Sequence, residues 1–144
     1  MTTPKQDAQT LVDEFMPFAR QMLTVYREFH PFGGHMKIDG EIVHEGATTG
    51  AEISPSQDLI DILRDAHRTQ ASEETIRAAC IVYDIRTVPP GQTDKQDAIA
   101  FEIDHRDDYS AVIIFPYEFA EDGNPATAAP FAVTGQSAIF KPIP

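Results

Sequence analysis

The sequence predicts an α+β fold, a two-layer sandwich in which two helices cover one face of an antiparallel meander sheet of about five strands. Three observations lead to it: an amphipathic stripe near the start of the chain, a proline-led second helix, and turn signals at Asp39–Gly40 and Asp107–Asp108. Consecutive strands joined by tight turns pair antiparallel. The predicted order is α-β-β-α-β-β-β with an extended C-terminal tail, all in one domain, residues 1–120 forming the body and 121–144 the tail packed on it.

The first helix is predicted over residues 5–28. Its apolar residues recur at spacings of three and four, as expected for one face of an amphipathic helix: Leu11, Phe15, Phe18, Met22, Val25 and Phe29. Pro17 lies inside this stripe, lacks an N–H group and crowds the carbonyl four residues earlier. Because the stripe is unbroken, we expect one kinked helix rather than two short ones.

The first hairpin is predicted from Asp39–Gly40, the preferred residues for a two-residue type I′ turn. Such a turn places His35 opposite His44 on one face, with their Cβ atoms about 5 Å apart. Two imidazoles could contribute to a metal site, but a zinc site needs three or four ligands. Lys37 on the same face also opposes a cation, so the sequence predicts a solvent-facing pair and no bound metal.

The second helix is predicted to begin at Ser54 as the cap, with Pro55 in its first position, and to end near Arg68. Residues 75–88 are β-branched and apolar on both faces, which is typical of a strand in the sheet interior. Cys80 lies within that strand among aliphatic residues, so we interpret it as a core residue rather than a reactive thiol.

The second hairpin is predicted to join residues 97–106 to 109–119 through a two-residue turn at Asp107–Asp108. With that turn, one sheet face carries a large apolar strip edged by acids on the side expected to meet water. A strip of this kind often marks a protein contact. The predicted contact residues are Ile113, Phe115, Tyr117, Glu102 and Asp104.

Two ways of covering that strip are open from the sequence. A second copy of the chain could bury it in a two-fold homodimer. Alternatively, the tail could fold back over it through Phe131, Val133, Ile139 and Phe140, with residues 137–141 pairing as a short edge strand.

The net charge of the chain limits the kinds of partner that the sequence suggests. Eleven Lys and Arg against 23 Asp and Glu give a net charge of −12, and no block of like charge stands out. This acidity disfavours nucleic acid and anionic membranes, and it is compatible with a basic protein partner. The chain shows no long apolar run and no secretory leader, so we expect a cytoplasmic protein.

Part of the chain resembles a known family. The Phe-His-Pro-Phe-Gly corner at residues 29–33, the Asp-Gly hairpin and the proline-led helix resemble an uncharacterised family of small bacterial proteins. This likeness covers residues 15–120. The element order also resembles the roadblock and profilin-like folds, which are used mostly for regulation and protein contacts. The family has no established activity, so the resemblance transfers no functional residues.

No nucleotide-binding, zinc-protease, serine-hydrolase or paired-cysteine motif occurs in the sequence. We therefore predict a non-enzymatic protein without a cofactor that acts by protein–protein binding, as an acidic binder of the immunity or inhibitor type. Two alternatives stay open: a small-ligand sensor of the profilin type, and a small metal-dependent hydrolase that uses His35 and His44.

Overall fold

The computed structural model describes residues 2–46 and 55–140. Its elements are α1 (Pro4–Tyr26), β1 (Phe32–Lys37), β2 (Ile42–Glu45), α2 (Ser56–Ser72), β3 (Ile76–Thr87), β4 (Gln96–His105), β5 (Tyr109–Phe119), β6 (Pro125–Thr127) and β7 (Phe131–Thr134). The α+β class and the antiparallel sheet are confirmed. In the described residues the sheet has seven strands rather than about five, because the predicted tail contributes β6 and β7.

The sheet order is β2-β1-β3-β4-β5-β6, and β7 also pairs with β5. Every pairing is antiparallel, and β6 and β7 share one edge of β5, at residues 117–119 and 111–114 respectively. The predicted edge strand at 137–141 is wrong in its position: residues 137–140 form no strand, and Lys141 lies outside the described residues. The tail therefore extends the sheet, and it does so earlier in the chain than predicted.

The two helices lie on opposite faces of the sheet, so the predicted two-layer arrangement is wrong and the sheet is the middle of three layers. Helix α1 packs in one core cluster with Cys80, and α2 packs in another with Ile81. Consecutive strand residues point to opposite faces, so these two neighbours mark the two layers. Strand β3 is buried on both sides, which explains its continuous apolar run.

Helix α1 is a single helix through Pro17, as predicted, and it ends two residues early at Tyr26. Thr3 and Gln6 form a capping box that satisfies backbone N–H groups at its start. Helix α2 starts later than predicted, with Pro55 as the cap residue and no side-chain cap, and it runs to Ser72. The predicted cap Ser54 lies outside the described residues.

Both hairpin loops contain three residues rather than the predicted two. In the first hairpin His35 pairs with Val43, and in the second Ile103 pairs with Ala111. Gly40 (φ 95°) and Asp108 (φ 61°) take the left-handed conformation at the last loop position. A type I turn followed by a left-handed residue is the usual three-residue hairpin loop. The shift of one residue moves each side chain of the second strand to the other sheet face.

Candidate functional site

The structure does not bring the five predicted contact residues onto one surface. Ile113, Phe115 and Tyr117 lie on the α1 face, where they pack in the main core. Glu102 and Asp104 lie on the α2 face, because their register partners in β5 are shifted by one residue. The predicted common strip is therefore wrong, while a role of either half in protein contact stays a prediction.

Tyr117 is only 3% exposed, and its hydroxyl donates to the Asp84 carboxylate over 2.9 Å. Phe115 meets the buried Phe101 ring edge to face at 5.6 Å between centroids. Burial raises the pKa of Asp84 to about 6, and this effect outweighs the hydrogen bond from Tyr117. These contacts belong to the interior of the sheet–α1 layer rather than to an open surface.

Glu102 and Asp104 lie beneath α2. Arg64 donates to both Glu102 carboxylate oxygens, at 2.9 and 2.6 Å, in a bidentate ion pair. Asp104 is 6% exposed, and burial raises its pKa against the lowering effect of a hydrogen bond with Ser110. Of the two acids predicted to border an exposed strip, Glu102 therefore binds α2 to the sheet, and Asp104 is buried beside β5.

His35 and His44 lie on opposite faces of the first hairpin, so the predicted side-by-side pair is wrong. The half-exposed His44 has its Nε2 2.9 Å from a Glu14 carboxylate oxygen and its ring against Phe15. His35 is 7% exposed, and its Nδ1 lies 2.9 Å from Glu45 Oε1. Within residues 2–46 and 55–140, no group of three or more His, Cys, Asp or Glu side chains has the geometry to hold a metal ion.

Instead, the structure joins two histidines through one carboxylate. Glu45 Oε1 lies 2.9 Å from His35 Nδ1 and 2.9 Å from Nε2 of the fully buried His67. Burial alone would raise the pKa of Glu45, but the hydrogen bonds and charges of His67 and His35 outweigh it and lower the pKa to about 2. Sequence reasoning missed this cluster because its members come from β1, β2 and α2, and no local spacing connects them.

A second buried network of hydrogen bonds holds the start of α1 against the sheet. Asp7 accepts from His105 Nε2 at 2.8 Å and from Arg77 at 3.0 Å. The other ring nitrogen of His105 accepts the Asp107 backbone N–H at 3.1 Å. Both ring nitrogens of His105 are thus hydrogen-bonded within the chain, and the network joins α1 to β3 and β4.

An aromatic groove lies beside the C-terminal half of α1, with a volume of about 410 Å³. A neighbouring depression of about 250 Å³ continues it along the end of β2. We call the two together the aromatic groove; its lining residues are Phe18, Met22, Tyr26, Glu28, Phe29, His30, Pro31, Phe32, His44, Glu45 and Gly46. The corner at residues 29–33, which carries the resemblance noted above, supplies one wall. A separate cavity of about 440 Å³ lies between the end of α2 and residue 140, and few aromatic residues line it.

The groove follows from the way α1 uses its apolar residues. Leu11, Phe15 and Leu23 are buried under the sheet, whereas Phe18 is 42% exposed and Tyr26 is 65% exposed. The helix thus carries more apolar surface than the sheet covers. The surplus lies where the chain leaves α1 and turns into β1.

Aromatic contacts hold the groove in shape. The Phe32 ring meets Phe18 at 4.8 Å, Phe29 at 5.7 Å and Phe15 at 6.2 Å, each edge to face. Such pairs add to the stability that apolar burial gives. Close packing here also needs Gly34, since a Cβ at that position would overlap the Phe15 ring and the Val43 carbonyl. These aromatic contacts fix the positions of the rings that line the groove.

Acidic side chains border the aromatic groove. Glu28 lines its wall. Glu45 lies at its β2 end, but its carboxylate points to the α2 face and contacts His35 and His67. Glu14 reaches the same end through its contact with His44. With a net charge of −12 on the whole chain, the electrostatic field at the groove favours positively charged groups.

Comparison with known proteins gave no significant match: no family model fits the chain, and neither a curated protein nor a solved structure is similar to it. In the described parts of the chain, neither helix is long and apolar enough to cross a membrane.

Proposed function

We propose that the protein acts by binding another protein, and that the aromatic groove is its contact surface. The groove itself supports this proposal most strongly, because exposed aromatic side chains held in fixed positions are the commonest anchors of protein interfaces.

The partner we propose is basic. Its apolar side chains fill the space between Phe18, Tyr26 and Phe32, and its Lys or Arg side chains meet the acids that border the groove. Opposite net charges accelerate encounter and reject acidic competitors. The proposed function is thus still the acidic binder expected from the sequence. The proposed contact surface, however, is at the end of α1 rather than on the β4–β5 hairpin.

A small-ligand sensor is the second candidate, because 410 Å³ lies within the range of about 300–1,000 Å³ that ligand pockets occupy. In this function an apolar molecule fills the groove, with Glu28 or His30 as its polar contact. A ligand that binds with the same affinity at low and high salt would favour the sensor over a basic protein partner.

Affinity capture from the source cell tests the proposal with three forms of the protein. Phe18→Glu combined with Tyr26→Glu places two charges in the groove, and Val88→Glu is the matched control because Val88 is 44% exposed and lies outside the groove. Wild type and the control should retain a common basic protein that the double variant loses. Equal recovery by all three forms would refute the groove as the contact surface.

Ionic strength adds a second arm to this test. Raising the salt shortens the range of electrostatic attraction to about 3 Å at 1 M, so the association rate should fall while the apolar contacts persist. An association rate that does not change with salt would mean that the acidic surface plays no part in choosing the partner.

A further inference from the structure

Strand β2 forms one end of the sheet, and in the described residues no strand pairs with its outer edge. The Lys37 N–H donates to the Glu41 carbonyl over 2.8 Å, which identifies that pair as hydrogen-bonded. Hydrogen-bonded and non-bonded pairs alternate along an antiparallel ladder, so Val43 faces β1, whereas Ile42 and His44 direct their backbone groups outward. The outer edge therefore offers two N–H and two carbonyl groups to a further strand.

This open edge borders the aromatic groove. The side chains of Ile42 and His44 lie on the α1 face, and His44 lines the groove together with Phe18 and Phe32. A strand added about 4.8 Å outside β2 points every second side chain to that same face. Those side chains are placed beside the aromatic rings.

The opposite face of the same edge is acidic. Glu41 and Glu45 alternate with Ile42 and His44, so both carboxylates lie on the α2 side. The nearby Lys37 is already paired with Glu41 at 3.4 Å. The Glu45 carboxylate is held between His35 and His67, whereas the Glu41 side chain is 61% exposed. An added strand thus meets apolar surface on one side and the Glu41 carboxylate on the other.

We infer that the partner binds by strand addition: an extended segment that alternates apolar and basic residues pairs antiparallel with β2, its apolar side chains in the aromatic groove and its basic ones on the α2 face beside the exposed Glu41. This inference rests on the proposed function and specifies its mode. A second copy of the chain fits the edge less well, because each copy has a charge of −12 and would bring like charges together. Backbone hydrogen bonds supply the affinity in this mode, and the alternating side chains supply the specificity.

Synthetic octapeptides test the inference on the full-length wild-type protein. The alternating peptide (Val-Lys)₄ should bind, and the block peptide Val₄-Lys₄ should bind roughly tenfold more weakly, because its apolar and basic side chains no longer separate onto two faces. Equal binding of the two peptides would overturn the inference, since it would mean that charge and apolar content alone decide affinity.

Backbone N-methylation of the alternating peptide isolates the strand pairing. In an antiparallel addition the Val residues opposite Ile42 and His44 direct their N–H groups to β2, and the Lys residues direct theirs away. Methylating the Val nitrogens should therefore weaken binding roughly tenfold or more, whereas methylating the Lys nitrogens should leave it near the parent value. If both methylated peptides bind as tightly as the parent, the strand addition is refuted.

A matched pair of protein variants tests the same strand pairing from the side of β2. Ile42→Pro removes an outward N–H at an edge position, where proline is tolerated, and Ile42→Ala trims the side chain but keeps that N–H. The proline variant should lose roughly tenfold in peptide affinity relative to the alanine variant, with both folded by circular dichroism. If the proline variant captures the natural partner as well as wild type does, while the groove variant loses it, the groove function stands and strand addition is wrong.

Discussion

Gly40 is a residue whose backbone conformation restricts which side chain can replace it. Its φ of 95° lies in the left-handed region, where a β-branched residue is strained. Gly40→Val should destabilise the protein by about 1–2 kcal/mol, measured by urea unfolding. Gly40→Asn is the control, because asparagine tolerates this conformation and should cost less than half as much. Equal stability of the valine variant and wild type would contradict the three-residue loop.

The lowered pKa of Glu45 predicts that the stability of the folded protein depends on pH. Its pKa of about 2 is below the ordinary value of 4.5, so the folded state binds its proton less readily than the unfolded chain does. Its contribution to stability is complete above about pH 4.5 and is lost as the pH falls toward 2. Glu45→Gln should therefore destabilise the protein by on the order of 2 kcal/mol at pH 7 and by much less near pH 2. Urea unfolding of both proteins across this range checks it, and a pH-independent difference would rule out the shift.

At the scale of elements, the sequence predicts which segments form helices and strands better than it predicts how they meet. The stripe from Leu11 to Phe29 and the apolar run through Cys80 are local patterns, and both elements occur where expected. The register of each hairpin depends on whether Gly40 or Asp108 closes a two-residue or a three-residue loop, and the same residues suit both. That single uncertainty separated Ile113, Phe115 and Tyr117 from Glu102 and Asp104, and it separated His44 from His35.

Local sequence also cannot predict which face of the sheet each helix packs against. Strand β3 is apolar on both sides, which permits helices on one face or on both. The groove was missed for a related reason. Periodicity identifies Phe18 as part of an apolar stripe, but only the three-dimensional structure shows that the sheet does not extend far enough to bury that part of the stripe. The Glu45 cluster needed contacts between three elements.

The corrected register changes the expected result of one double substitution. If the predicted strip formed a homodimer interface, Ile113→Asp with Phe115→Lys would separate the two copies and leave each one folded. Both residues pack in the α1-face core, so the double variant should instead lose several kcal/mol of stability by burying charge. Thermal unfolding checks this against Ile62→Asp, which places a charge at an exposed α2 position. A double variant as stable as wild type would restore the strip as an open surface.

At the scale of the whole molecule, residues 2–46 and 55–140 form a seven-stranded sheet between two helices, with an aromatic groove at one corner, and the chain has a net charge of −12. Self-association stays a prediction. The charge of −12 on each copy opposes it, and the groove gives a basic partner a more favourable place to bind.

Amide chemical shifts of the isotope-labelled protein, followed during titration with the alternating (Val-Lys)₄ peptide and then with the captured partner, test the central claim most directly. We expect the largest shifts at residues 18–32 and 42–46, which include the groove and the edge of β2. Phe18→Glu combined with Tyr26→Glu should abolish them, whereas Val88→Glu should not. Shifts centred on β5 and β7, with residues 18–32 unchanged, would contradict the proposal that this protein binds its partner through the aromatic groove.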